Sequence, residues 1–175
     1  VTPTATQRCI GNLPLGSYHS GSWAMGFNSA DNGRFHVDIN NVGTLITNYI
    51  NIMSANTWYH VALMRYGNTW ILCQDGQVIS TITTASTVSL DNGGAARPVY
   101  IGWSGYSTTS TNEYFNGYLD EICITNGRAK YIPNYNFTVQ TIPYTSDTTT
   151  SLLMHCDGAN GSTTFTDSSA NNASL

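Results

Sequence analysis

The stretch that most constrains the fold is TWYHVALMRYGNTWILCQDG, residues Thr57 to Gly76. Trp58 to Arg65 and Thr69 to Gln74 are both rich in aromatic and β-branched residues, with Tyr66-Gly67-Asn68 between them. Gly and Asn tolerate positive φ, so this three-residue loop predicts a hairpin. Asp75-Gly76 then supplies a second turn before Gln77 to Thr84, giving a meander of at least three antiparallel strands.

The rest of the chain repeats the pattern. Ser22 to Asn28 sets Trp23, Met25 and Phe27 to one side, with small Ala24 and Gly26 between them. Asp31-Asn32-Gly33 predicts a turn into Arg34 to Ile39, where Phe35, Val37 and Ile39 share one face and Arg34, His36 and Asp38 the other. Leu45 to Ile52, Ser86 to Leu90 and Arg97 to Trp103 read as further strands, and Tyr114 to Thr125 as a long one in which Gly117 marks a bulge or a close backbone approach. No long segment carries a helical period, and one turn near Gly127 to Tyr131 is the best helical candidate. Short strands with turn signals every ~8 to 12 residues indicate an all-β fold, an antiparallel β-sandwich.

At 175 residues the chain suits one domain with a sizeable core. Charged residues are only 9% of it, and six Lys and Arg are scattered singly against ten Asp and Glu. No basic stripe follows a phosphate backbone, so nucleic acid is excluded as an expected partner. No run of about 18 apolar residues occurs, so no membrane insertion is expected, and the opening VTPTATQRC does not read as a signal peptide.

Cys9, Cys73, Cys123 and Cys156 lie far apart with no CxxC pair. Zinc fits poorly, leaving buried free thiols or two disulfides with three pairings. Sequons at Asn136, Asn160 and Asn172 are glycosylation candidates and lean toward an oxidising exterior, although an Asn- and Thr-rich chain also produces sequons by chance.

Three motifs carry a family resemblance: Thr57-Trp58-Tyr59-His60-Val61-Ala62-Leu63 with Asp75-Gly76, Tyr114-Phe115-Asn116-Gly117-Tyr118-Leu119-Asp120-Glu121-Ile122, and Asn136-Phe137-Thr138 after the turn at Arg128 to Tyr131. In this order they resemble laminin G-like domains of the concanavalin A-like lectin/glucanase superfamily, in the subgroup of phage tail, environmental viral and bacterial surface proteins. The resemblance spans about residues 5 to 145 and implies a concanavalin A-like jelly roll, in which Trp58 and His60 take packing roles.

In that subgroup a motif similar to Leu152-Leu153-Met154-His155-Cys156-Asp157-Gly158 opens the domain, whereas here it comes last. The expected organisation is therefore a sandwich over residues 1–145 lacking its opening strands, a linker at 146–150, and a strand in 151–175 that begins a following unit or exchanges between units. A window from a tandem array suits the linker-like Pro143 to Thr150. Strand exchange suits a sandwich with open edges, which invite a neighbouring chain and so a fibre or lattice. The resemblance also implies a terminal strand pair that would bring Cys123 and Cys156 together, leaving Cys9 with Cys73.

Glycosidases of the superfamily use two carboxylates on one strand in an E-x-D-x-E arrangement. Asp120 and Glu121 are the only adjacent acids, and neighbours on a strand face opposite ways, so no hydrolytic pair is expected. The pair is expected instead to accept hydrogen bonds from backbone or from Arg128. His60 reads as a satisfied core histidine, and His19, His36 and His155 are isolated in sequence. The resemblance implies calcium at the sandwich rim, with Asp31, Asn32, Asp91 and Asn92 as candidate ligands, although Asp-Asn-Gly is first a turn sequence. Trp103, Tyr106 and Tyr114 beside the polar loop of residues 104–112 are the candidate carbohydrate site, with packing of Trp103 at the core edge as the plainer reading. The resulting expectation is a non-catalytic structural or adhesive module of a larger extracellular or virion-surface protein. It would contact copies of itself or neighbouring modules, and a lectin for host or matrix glycans is the alternative.

Overall fold

A computed structural model describes residues 5–13, 21–28, 34–40, 42–46, 52–85, 88–90, 98–105 and 113–173. Among the described residues ten strands follow in order: β1 (Gln7–Gly11), β2 (Trp23–Phe27), β3 (Phe35–Ile39), β4 (Gly43–Ile46), β5 (Val61–Tyr66), β6 (Thr69–Gln74), β7 (Gln77–Thr83), β8 (Tyr100–Ile101), β9 (Ile122–Thr125) and β10 (Thr150–Met154). They form three sheets, ordered β4-β3-β2-β1-β8, β5-β6-β7 and β10-β9, with every strand pair antiparallel. The described residues contain no helix, and so none able to cross a membrane.

The central meander forms as its sequence predicts, with two local differences. Tyr66 pairs with Thr69, so the first loop is the two residues Gly67-Asn68, with Gly67 at φ 57°. The β5 ladder begins at Val61 because the preceding residue is engaged by the next turn: Asp75 Oδ1 accepts from the His60 amide, and the Asp75 amide donates to the His60 carbonyl. That turn has both Asp75 (φ 51°) and Gly76 (φ 77°) in the left-handed region, as a type I′ hairpin requires.

Two faces of this meander are buried. Trp70 and Leu72 pack with Phe35, Val37, Ile39 and Cys9 of the five-stranded sheet, making the core between two layers. Met64, Ile71 and Cys73 point the other way and are covered by Ala129, Tyr131 and Phe137 of the returning chain. The return is fixed at the second turn, where the Phe137 amide donates to the Gly76 carbonyl. A Cβ at Gly76 would sit 2.0 Å from the Phe137 carbonyl oxygen, so only glycine fits. A cleft of about 2020 Å³ remains between the layers, lined along the whole of β5.

The predicted polar face of β3 is not solvated. Arg8, Gly26 and His36 occupy one row across β1, β2 and β3, and Gly26 carries no side chain to separate the other two. Arg8 Nη1 meets His36 Nε2 directly, and Asp38 Oδ2 lies 3.0 Å from both Arg8 Nη2 and His36 Nε2. Arg8 and His36 are consequently 3% and 1% exposed. A bulge at Cys9 turns that residue into the core while Arg8 faces the cluster.

Several strand boundaries differ from the expectation. Tyr114 to Thr125 is not one long strand: Tyr114 makes a single bridge to Arg8, and β9 starts only at Ile122. The chain turns between them, with Glu121 at φ 50° and its amide bound by Asp120 Oδ1. Gly117 is indeed a close approach, since a Cβ there would meet the Phe115 ring at 2.7 Å. Of Arg97 to Trp103, residues 98–103 are described and only Tyr100–Ile101 of these are in a strand; of Ser86 to Leu90, residues 88–90 are described and are in none. The C-terminal strand β10 pairs with β9 of the same chain, Leu153 opposite Cys123.

Candidate functional site

Glu121 organises the polar groups around β9 and β10. Its Oε2 accepts from the Tyr144 amide at 2.8 Å, and its Oε1 lies 2.8 Å from His155 Nδ1. Burial works against its charge, but the Tyr144 amide and His155 outweigh it and hold the carboxyl below its ordinary value. The backbone role expected for this acid is present; Arg128 is engaged elsewhere, with Asp147 at 2.9 Å. Asp147 also ties the turn into β10 through Thr149 and Thr150, and the Thr149 hydroxyl and amide pull its carboxyl down to about 2.

From Tyr144 the network continues inward. The Tyr144 hydroxyl lies 2.6 Å from that of Tyr131 and 2.9 Å from His60 Nε2. Tyr131 stacks on Phe137 at 3.6 Å, and both rings meet His60 edge-on. Burial lowers the His60 pKa, keeping the imidazole neutral, and raises that of Tyr144. The packing role expected for His60 therefore holds, although its Nδ1 has no partner among the described residues.

Trp58, two residues before His60, does the opposite. It is 66% exposed rather than packed, because the β5 ladder has not begun at that point and nothing fixes its ring inward. Tyr118, three residues before Glu121, is 86% exposed. The two rings lie 6.4 Å apart, tilted by 44°. Beside Trp58 opens a groove of about 640 Å³, bounded by Tyr59, His60, Asp75, Gln77 and Phe137. The Trp58–Tyr118 pair was not singled out from the sequence as a site. Its exposure carries no signal in the sequence, where alternation continues back from Val61 through Trp58 and only the ladder shows that β5 starts at Val61.

Of the carbohydrate residues predicted from sequence, Trp103 and Tyr114 come together, stacked at 5.8 Å and 25°, and Tyr100 meets Trp103 edge-on at 5.0 Å. Trp103 is half-buried, which leaves Tyr114 as the exposed ring. Tyr106 lies outside the described residues, as do the calcium candidates Asp31, Asn32, Asp91 and Asn92. Among the described residues no three His, Cys, Asp or Glu gather as a metal site.

The four cysteines are free thiols, which corrects the disulfide expectation. Cys9 lies in the core between the layers and Cys73 in the cluster on the outer face of the meander, so the sheet separates them. Burial raises their thiols to about 12 and about 11. Cys123 sits in register with Leu153, whereas Cys156 lies beyond the end of β10 and is exposed. Histidines isolated in sequence are not isolated in space, since His36 joins Arg8 and Asp38 and His155 joins Glu121. Of the sequons, Asn160 and Asn172 are exposed. Asn136 is held by the fold: its Nδ2, where a glycan would join, donates to Gln77, and its Oδ1 accepts from the Val78 amide.

No curated protein matches the chain. A solved structure, the crystal structure of an S-layer domain-containing protein (residues 221–444) from Clostridium thermocellum ATCC 27405, is similar at 22% identity with a TM-score of 0.27. The match covers 70% of this chain and 54% of that one, so the chain spans about half its length. A family model of laminin G-like domains, described as the concanavalin A-like lectin/glucanases superfamily, matches residues 2–130, most of the chain. With its antiparallel sheets packed in layers, the chain belongs to this superfamily and is an all-β concanavalin A-like sandwich.

Proposed function

We propose that the chain is a non-catalytic module of an extracellular or virion-surface protein, acting by contact as an adhesive or structural unit. The observation that carries this reading is the division of labour at Glu121 and Trp58. The acid that a hydrolase would need is bound to the Tyr144 amide and His155, while the large aromatic rings nearby face solvent. The neighbouring acid, Asp120, binds the Glu121 amide with one oxygen. Family membership supports a surface module, since the sandwich presents its loops and rims to partners. The test is incubation of the intact chain with soluble and insoluble glucans, reading new reducing ends. No release is expected; turnover abolished by Glu121→Gln or Asp120→Asn would overturn the reading.

A second reading is favoured by one observation, the cleft along β5, an edge strand with β6 as its one neighbour among the described residues. A strand from another copy, or from an adjoining module of a tandem array, would pair with such an edge and bury apolar surface on both sides. Mass in solution tests it: concentration-dependent oligomers are expected, and a monomer at all concentrations would exclude exchange between chains.

A further inference from the structure

The cleft beside β5 is bounded by two strand edges, since β9 lines it as fully as β5 does. Among the described residues β5 has β6 as its one neighbour, and β9 has β10. The bonding pattern of each ladder says which backbone groups face the cleft. The Asp75 amide donates to the His60 carbonyl, which makes His60 a bonded position against β6. Bonded positions recur at every second residue of an antiparallel pair. Ala62, Met64 and Tyr66 therefore bond to β6, while Val61, Leu63 and Arg65 turn their N–H and C=O groups outward. On β10 the Leu153 amide donates to Asp167 Oδ1 and the Leu153 carbonyl accepts from the Ser168 amide, so Leu153 bonds away from β9. Its opposite number Cys123 accordingly turns its backbone away from β10, toward the same cleft. The backbone groups of Val61, Leu63, Arg65 and Cys123 have no partner among the described residues.

The two edges are also in phase. Val61 and Leu63 pack toward the core with Trp70 and Leu72, whereas Ala62 and Met64 face the outer cluster with Cys73. Tyr131, which covers that outer cluster, stands within electrostatic reach of both Cys73 and Cys123. Cys123 thus shares the outer side with Cys73, and alternation sends Ile122 and Ile124 to the core side. These walls discriminate between occupants. An acyl chain or a fused ring system would fill apolar space but leave the facing N–H and C=O groups buried without partners, at a cost for each. An extended peptide brings donors and acceptors on both of its edges. Every described strand of this chain already sits in a ladder, so a second copy would have to break one of its own sheets to supply that peptide.

We infer that the cleft is a slot for one extended strand donated by a neighbouring module, bonded to β5 on one side and to β9 on the other. The donated strand joins the two sheets into one, in the order β10-β9-donor-β5-β6-β7. Its side chains alternate accordingly: large and apolar toward Trp70 and Leu72, small or hydroxyl-bearing toward Tyr131 and Cys123. This rests on the edge reading of β5 given above and adds the second wall, the kind of strand and its source.

The experiment is amide hydrogen exchange of the intact chain, read residue by residue, with and without a synthetic peptide of strand length that alternates valine and threonine between terminal lysines. Two further peptides carry N-methyl groups on one alternate set of amides or on the other, so that each loses its N–H bonds to one wall. The parent peptide is expected to slow exchange at Val61, Leu63, Arg65 and Cys123 together by about tenfold or more, and each methylated peptide to bind about tenfold or more weakly. Four results would overturn the inference: no binding of the peptide, protection confined to one wall, indifference to either methylated set, or the same four amides already protected in the dilute free chain. Protection that appears with chain concentration alone and resists the peptide would make a second copy the occupant, which overturns the source named here and leaves the edge reading standing. A chain that stays monomeric yet binds the peptide across both walls would support the slot and exclude exchange between copies. If neither the peptide nor a second copy protects these amides, both readings fall.

Discussion

Trp58 and His60 are two residues apart on one segment, and Tyr118 and Glu121 are three apart on another, yet within each pair the fates diverge. His60 and Glu121 are tied into a network that runs from the outer face of the meander through Tyr131 and Tyr144 to His155 at the C-terminal strand. Trp58 and Tyr118 stand in solvent against each other. Titratable groups that look chemical in the sequence are structural, and aromatics that look structural are free to bind. A buried polar network is stabilising only when its members are satisfied, so its groups are poor candidates for meeting a ligand. Exposed aromatics contribute little to folding and much to contact.

The sharpest way to break this contrast is to remove the acid at its centre. Glu121→Ala deprives the Tyr144 amide and His155 of their acceptor at once and is expected to lower the unfolding free energy by about 2–3 kcal/mol in denaturant titration. A change below about 0.5 kcal/mol would mean that the network is ornamental.

Acid probes the same anchors without mutation. Burial opposes ionisation of Asp167, but the amides of Leu153, Ala173 and Ser169 and the Ser169 hydroxyl hold it at about 2, below the ordinary 3.8. Its folded-state pKa is depressed, so the stability it contributes is fully present above about pH 4 and is lost as pH falls toward 2. Glu121, depressed as well, loses its contribution as pH falls below its ordinary 4.5. Unfolding followed from pH 6 downward is expected to show this loss, and Asp167→Asn to flatten it. His60, lowered from 6.5 by burial, favours the folded state above that pH and withdraws its contribution as pH falls below it.

A smaller effect is expected from Tyr144→Phe, which removes the hydroxyl 2.9 Å from His60 Nε2 and leaves Tyr131 at 3.4 Å as the remaining partner. About 1 kcal/mol is the expected loss in thermal or chemical unfolding. The smallest effect on stability belongs to the other region: Trp58→Ala and Tyr118→Ala are each expected to change it by less than about 0.5 kcal/mol.

The meander, the alternating face of β3 and the fold class are legible in the sequence because they are local. Period-2 patterning and the Asp75-Gly76 turn act over a few residues, and Phe35, Val37 and Ile39 reach the core as their spacing says. The networks are not legible, because their members are brought together by topology. His60 meets Tyr144 across 84 positions and His155 meets Glu121 across 34. Arg8 and His36 meet because Gly26 lies between them in the sheet, a fact that depends on strand order. The exposure of Trp58 escaped for a subtler reason. Alternation extended back from Val61 puts Trp58 in phase with a strand, but the ladder stops at Val61 and the phase with it.

The most direct test of the account places the two regions side by side: melting of Glu121→Ala and Trp58→Ala under the same conditions. The account predicts that Glu121→Ala, which removes the acceptor of the Tyr144 amide and His155, melts early, while Trp58→Ala, which removes an exposed ring, melts like the parent chain. Early melting of Trp58→Ala with Glu121→Ala unchanged would contradict it.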